Sequence, residues 1–478
     1  MAVIIAGERS GVGKTTITLA MLAYLRRRGR RVQSFKVGPD YIDPMFHRYV
    51  TGRPCYNLDP VLTSEAYVQH SYATHSQDVK LALVEGVMGL FDGATGAEDI
   101  ASTAHIARLL NAPVVLVLDC ARLSRSVAAI AHGYRTFDPR LKLAGVILNR
   151  VGSDRHLTLL QDALATIDLP ILGVLHRHTD LTLPDRHLGL VPTDELPHLE
   201  ELCDRLATLA ADAFCWDTLL PLLSTEGSTR ENRFDGDCSR EQDSGRSNTI
   251  PSPPTHPPIH SSAYPPTLAV ARDRAFSFYY PDNLALLESL GARLRFWSPL
   301  EEALPDNVSG LYFGGGFPEM FAAELAANEA ALQSVRQAIA TGMPIYAECG
   351  GLMYLSRGIV DFAGNAWELV GTLPTWAAMG DRLTLGYRRA IAQHDTPLVT
   401  AGQVLWGHEF HRSSLTTTSP SPLYKLHRFE GTPFGDEGWH SAHLHASYLH
   451  LHWGACPDIP QRFLHQVWQF SQRLTVAR

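Results

Sequence analysis

Cysteine is sparse and unpaired in this sequence: seven residues are scattered through 478, with no Cys-x-x-Cys pair. That spacing excludes a disulfide framework and a cysteine-ligated zinc site. Long apolar runs are also missing, and none approaches the roughly 20 residues of a bilayer-crossing helix. Basic residues are not in excess: the net charge is −8, which argues against a general nucleic-acid-binding surface. The opening residues MAVIIAGERSG lack a basic start and have too short an apolar core for a secretory signal. They read as a first β-strand, and the expected compartment is the cytoplasm. What is present is 45% hydrophobic and 19% charged residues, the composition of a soluble globular protein. The length suffices for two or three domains.

One segment stands apart. Residues 224–267 are rich in Ser, Pro, Gly and charge and poor in aliphatic side chains. Such a stretch buries too little surface to offset its ordering entropy, so 224–266 reads as a flexible linker between domains 1–223 and 267–478. Before it, AVIIAG (2–7), RVQSFKVG (31–38), LALVEG (81–86), PVVLVLD (113–119) and LAGVILNRV (143–151) read as buried strands. Helical patterns such as Thr15–Arg28 separate them. After it, TLAVARD (267–273), ARLRFWS (292–298), GLYFGGG (310–316) and PIYAECG (344–350) repeat the theme. The expectation is α/β: two doubly wound domains, each with a parallel sheet covered on both faces.

GERSGVGKTT (7–16) follows the first strand and opens a helix. Backbone N–H groups of such a loop, with Gly11 and Gly13 permitting close approach, wrap phosphate oxygens at a helix N-terminus. Lys14 would reach the terminal phosphates of ATP, Thr15 would ligate Mg²⁺, and Thr16 completes the loop. Five residues separate Gly7 from Gly13, one more than the usual spacing. The longer loop resembles dethiobiotin synthetase and its relatives, which implies a mixed anhydride between a carboxylate and the γ-phosphate. Partitioning ATPases of the same superfamily carry a signature lysine where this chain has Arg9.

Acidic residues follow the next strands. Lys36, Asp40 and Asp43 lie just past the second strand; Glu85 ends the third, and Asp92 lies in the loop beyond. Strand C-termini are where α/β sheets place ligands. Glu85 and Asp40 can complete a Mg²⁺ shell of oxygens with Thr15, and Lys36 can neutralise charge developing on a carboxylate during phosphorylation. Asn149 ends another strand. It resembles the adenine-reading asparagine of the dethiobiotin synthetase group, and a plain turn asparagine fits the pattern as well.

GMPIYAECGGLMYL (342–355) places Cys349 at the end of an apolar run, before two glycines. It is either a small buried thiol or a nucleophile on a strand–turn–helix elbow. In the second case the Gly350 N–H lies beside the sulfur, lowers its pKa and donates to an oxyanion. The glycines of YFGGGFPE (312–319), Gly315 and Gly316, would supply a second donor. HASYLHLHW (445–453) alternates as a strand does, which puts His450 and His452 on one face. One of them would be the activating imidazole. Histidines 440, 443, 445, 450 and 452 match no strong zinc pattern.

The Ala-Glu-Cys-Gly-Gly elbow, the Gly-Gly-Gly-Phe-Pro-Glu loop and the late Ser-Tyr-Leu-His resemble the class I glutamine amidotransferases, with a flavodoxin-like sheet. That resemblance implies His450 as the catalytic histidine. Many class I members carry a glutamate two positions later; this chain has His452. It looks like the cobyrinate and cobyrate synthase branch, which works with Cys and His alone and leaves the group orienting His450 unassigned. VGPDYIDP, EGVMGLFDG, RPCYNLDP and GHEFHRS extend the similarity to the cobyrinate a,c-diamide synthase family over nearly the whole chain. The resemblance implies ATP- and glutamine-dependent amidation of the a and c acetates of cobyrinate in cobalamin biosynthesis, with Mg²⁺. Glutamine would be hydrolysed at Cys349, and ammonia would cross to an acyl phosphate made at the first site. Asp40, Tyr41, Ile42 and Asp92 match positions linked to substrate handling; Lys36 and Arg53 would belong to a basic cleft for the polyanionic ring. The partners expected are small molecules only, with neither nucleic acid nor membrane. Cobyrate synthase, amidation of hydrogenobyrinate or nickel sirohydrochlorin, and a partitioning ATPase with an inactive amidotransferase tail are the competing readings.

Overall fold

The structure is a computed structural model that describes residues 2–177, 185–186, 189–225 and 265–476. The chain forms two compact units. The first is organised by seven strands, of which the inner ones are buried almost throughout: β1 (Val3–Gly7), β2 (Val32–Val37), β3 (Tyr56–Leu58), β4 (Leu81–Glu85), β5 (Val114–Asp119), β6 (Leu143–Val151) and β7 (Ile171–His176). They form one parallel sheet in the order β3-β2-β4-β1-β5-β6-β7. A fully parallel sheet needs helices on both faces, which is why these strands read as continuous rather than alternating apolar runs. The expected strands are present; β3 and β7 are additional.

Helix α1 (Lys14–Arg27) follows the loop after β1, and α2 (Ile42–Thr51) follows β2. Gly13, at the N-cap of α1, has φ 98°, a left-handed conformation that glycine adopts without strain. A Cβ there would also stand 2.4 Å from Asn149 Nδ2. The C-terminal ends of β1, β2 and β4 therefore converge on the N-terminus of α1.

The second unit carries β8 (Thr267–Ala271), β9 (Arg293–Trp297), β10 (Gly310–Phe313) and β11 (Ile345–Glu348). Then comes a second sheet that the sequence reading did not anticipate. It consists of β12 (Ser356–Val360), β13 (Ala366–Glu368), the long β14 (Leu373–Ala392), β15 (Val404–Leu415), β16 (Tyr424–His427) and β17 (Pro433–Glu437). The chain returns through β18 (Trp439–His440) and β19 (Leu444–Ser447) to the first of these sheets, whose order is β9-β8-β10-β11-β19-β18. All neighbours in it are parallel except the β18 edge. Its parallel core has the flavodoxin-like order, as expected. The linker expected at 224–266 falls largely outside the described residues; Ser224 and Thr225 are tied to Leu81 and Lys80 beside β4.

Candidate active sites

The loop between Gly7 and Lys14 rims a cavity of about 760 Å³ lined by Gly11, Gly13, Lys14, Thr15, Thr16, Lys36, Asp40, Asp43 and Asn149. Lys14 is buried, and its Nζ donates to the backbone carbonyls of Met88 and Arg9, the latter at 3.3 Å. Burial, reinforced by the neighbouring Lys36 ammonium, brings its pKa down to about 8. Asn149 Nδ2 donates to Val12 O at 2.8 Å, so it braces the phosphate loop from β6. The five loop residues and Asn149 are thus together, as the sequence placed them.

Beneath the loop lies a buried charge cluster. Thr15 Oγ1 donates to Glu85 Oε1 at 2.6 Å and lies 3.2 Å from Asp43 Oδ2. Lys36 Nζ bonds to Glu85 Oε1 at 2.8 Å and to Asp43 Oδ2. His47 Nε2 meets the other Glu85 oxygen at 2.7 Å. Burial acts against the ionised Glu85, but Lys36 and His47 hold its carboxyl well below the usual range. Burial and the nearby Asp40 push Asp43 up to about 8. One hydroxyl and two carboxylates converge here, a hard oxygen set of the kind that suits a divalent cation.

Three assignments change in detail. Asp40 is not the carboxylate beside Thr15; its Oδ1 accepts the N–H groups of Ile42 and Asp43 at 2.9 and 3.1 Å and fastens the start of α2. Asp43, one turn further, takes the place given to Asp40, because the helix turns it back toward Thr15. Asp92 accepts the Gly89 N–H at 2.9 Å and shapes its own loop instead of lining the cavity. Tyr41 and Ile42 are buried at the entry to α2. Arg53 is engaged by Asp78 and Gln33 and is not part of the cavity lining.

In the second unit, Cys349 stands between β11 and the short helix Gly350–Leu355, with φ 46° and ψ −99°. A non-glycine residue in that region is strained, and such strain marks an elbow that forces the side chain off the strand axis. Gly351 is required behind it: a Cβ would come within 2.5 Å of Phe313 Cβ. A Cβ on Gly350 would sit 3.2 Å from the Gly316 nitrogen, so the two glycines expected to supply oxyanion donors are adjacent. Gly315 is pressed against His450, whose Cε1 lies 2.4 Å from the place of a Gly315 Cβ. The ends of β10, β11 and β19 therefore gather Gly315, Gly316, Gly350, Cys349 and His450.

Two expectations are corrected here. Strand β19 stops at Ser447, and His450 and His452 lie beyond it instead of sharing a strand face. His450 exchanges backbone hydrogen bonds with His408 of β15, while His452 turns to Asp282 at 3.5 Å and packs on Tyr280. The Cys349 thiol is not acidified in the free protein: it is buried, and desolvation together with Glu319 and Glu348 outweighs the Gly350 N–H and pushes its pKa up. Among the described residues, none of the late histidines belongs to a metal-holding cluster of three or more.

Residues 3–191 match the CobQ/CobB/MinD/ParA nucleotide binding domain, and residues 267–457 match the CobB/CobQ-like glutamine amidotransferase domain. The chain is 57% identical to the cobyrinate a,c-diamide synthase of Synechococcus sp., over 97% of this chain and 98% of that one. It is 50% identical to the Synechocystis sp. protein of the same name, over 99% and 95%. The chain belongs to the cobyrinate a,c-diamide synthase family. Within that family it is 40% identical to the hydrogenobyrinate a,c-diamide synthase of Streptomyces coelicolor, over 96% of each chain. The cobyrinate a,c-diamide synthase family unites a nucleotide-binding and an amidotransferase domain in one chain, so this protein is a glutamine-dependent ligase.

Several residues of this family member escaped the sequence reading. His47, at the fifth position after Ile42 in α2, was invisible because nothing in its spacing pairs it with Glu85 thirty-eight residues later. Arg150 and Arg9 both grip Asp119, at 2.6 and 2.9 Å. Glu348 is part of the elbow motif, in which its position alone implies no role. No helix among the described residues is long and apolar enough to cross a membrane.

Proposed function

We propose that the protein converts the a and c acetate carboxylates of cobyrinate to amides, with ATP supplying activation and glutamine supplying nitrogen. The observation that carries this reading is the Thr15–Glu85–Lys36 cluster at the floor of the phosphate-loop cavity, in a chain that also holds a cysteine elbow. The first arrangement suits phosphoryl transfer to a carboxylate, and the second suits carboxamide hydrolysis.

In the first site the loop amides and Lys14 hold the triphosphate, and Lys36 faces the oxygen that attacks the γ-phosphorus. Thr15, Asp43 and Glu85 would hold Mg²⁺, which supplies charge neutralisation across the phosphates. The carboxylate displaces ADP and becomes an acyl phosphate. In the second site the Cys349 sulfur attacks the glutamine carboxamide carbon while its proton passes to His450, and the Gly350 and Gly316 amides receive the oxyanion. His450 returns the proton to the departing nitrogen. Water then cleaves the thioester to glutamate. Ammonia attacks the acyl carbon and expels phosphate.

The 40% identity to a hydrogenobyrinate enzyme supports a second reading, in which the ring carries no metal. Purified protein offered each ring in turn, with acid-to-amide conversion followed by mass, separates the two. Cys349→Ala is expected to abolish synthesis from glutamine and to spare synthesis from ammonium. Equal loss with both nitrogen sources would overturn the assignment of Cys349.

A further inference from the structure

The histidine of a cysteine–histidine pair needs a partner on its second nitrogen. Without one, the ring populates both tautomers and rotates out of line. Position 452, two residues after His450, holds a histidine already turned to Asp282. The carboxylate facing His450 comes instead from the end of the neighbouring strand β11. Glu348 Oε2 lies 3.7 Å from His450 Nδ1, with both side chains essentially out of solvent.

We propose that Glu348, the residue immediately before the nucleophile, is the positioning residue for His450. The inference rests on Cys349 and His450 being the glutaminase pair.

Three features support the assignment. Glu348 is held rigidly: its Oε1 accepts the Leu451 N–H at 3.0 Å and the Tyr346 hydroxyl. With Oε1 taken, Oε2 is the oxygen turned toward the imidazole, and the Tyr312 hydroxyl approaches it at only 3.4 Å. The Leu451 bond matters doubly, because it ties the carboxylate to the backbone right after His450. Second, the Cε1 edge of the ring is packed against Gly315, which leaves no room there for a side chain. Third, a carboxylate buried beside an imidazole is costly unless the two interact. The 3.7 Å separation is longer than a hydrogen bond, as catalytic contacts commonly are before substrate is bound. With Nδ1 turned to Glu348, Nε2 is the nitrogen left to exchange a proton with the thiol. The strand geometry explains the origin of the carboxylate: Glu348 pairs with Ser447 across β11 and β19, so one register places the nucleophile and the orienting group beside the segment carrying His450.

The test is Glu348→Gln in the full-length protein. An amide can donate to Nδ1, which favours the wrong tautomer. Glutamine hydrolysis is expected to lose roughly 10²- to 10⁴-fold in kcat with KM for glutamine little changed. Alkylation of Cys349 should slow in parallel, synthesis from ammonium should persist, and Glu348→Asp should restore part of the rate. A kcat within a factor of about two of the parent, while His450→Ala is inactive, would overturn the role of Glu348 and leave the Cys349–His450 pair standing. An active His450→Ala would instead overturn the pair itself. Should Glu348→Gln fail to fold, the parent protein decides. With ¹⁵N-histidine labelling and His450→Gln for assignment, a proton on Nδ1 supports the proposal and a proton on Nε2 overturns it.

Discussion

The hydroxyl of Thr15 and the carboxylate of Glu85 meet at 2.6 Å, seventy residues apart in the chain and each at the end of a different element. This contact joins the phosphate loop to the inner strand β4. Replacing Glu85 by Gln removes the carboxylate charge while Lys36 and His47 remain buried beside it. A buried partner left uncompensated costs about 3–5 kcal/mol. Synthesis from glutamine and from ammonium should both be lost, glutamine hydrolysis should persist, and the unfolding midpoint of the first unit should fall. Full ammonium-dependent synthesis in Glu85→Gln would contradict the placement.

Lys14 carries a second prediction. Its pKa of about 8 means that its charge is lost as pH rises through that value. Wild-type ATP affinity should weaken above pH 8, and Lys14→Met should remove this pH dependence. The same variant should lose synthesis by roughly 10²–10³-fold with either nitrogen donor. Titration of ATP binding between pH 7 and 9 checks the first part, and product formation checks the second.

Gly315 is the sensitive point of the glutaminase site. A methyl group at that position would collide with the His450 ring, and a shift of about 1 Å in a catalytic group costs about 10²-fold. Gly315→Ala should therefore impair glutamine hydrolysis without changing ammonium-dependent synthesis. Unimpaired hydrolysis would show that His450 does not have to stay against Gly315.

The second unit should be acid-sensitive. Burial holds His408 and His445 neutral, each with its pKa lowered to about 3; His450, Arg388 and His411 add to the effect at His408. An unfolded histidine titrates near 6.5, so below that pH the unfolded chain binds more protons than the folded one. The stability these residues contribute is present above pH 6.5 and drains away as pH falls toward 3, by up to about 1.4 kcal/mol per pH unit for each. Denaturant unfolding from pH 7 to pH 5 should show this loss. His445→Phe should flatten the slope even though it gives up the contacts to Thr396 and Tyr424. An unchanged slope would mean that His445 is protonated in the fold.

Legibility followed the range of the interaction. The phosphate loop was readable because Gly11, Gly13, Lys14, Thr15 and Thr16 are contiguous, and local backbone geometry makes a cradle from contiguous residues. The elbow was readable for the same reason. The sequence favours Asp40 over Asp43 without grounds to separate them, because both follow β2 and only the turn of α2 decides which one faces Thr15. The mixed sheet built on β14 was missed because its strands are neither cleanly alternating nor continuously apolar. His450 was assigned to a strand on the strength of an alternation that continues past Ser447, where the chain leaves β19 to bond with His408.

By itself the sequence determined the two α/β sheets, most of their parallel strands, the phosphate loop and the strand–cysteine–glycine turn at Cys349, all of which depend on periodicity and on short runs of neighbours. Tertiary structure alone decided which charges share the floor of the first site, that the Cys349 thiol is too well buried to ionise unaided, and that Glu348 faces His450. Those outcomes depend on desolvation and on distances between residues remote in the chain, quantities that come into being only when the strands are brought side by side.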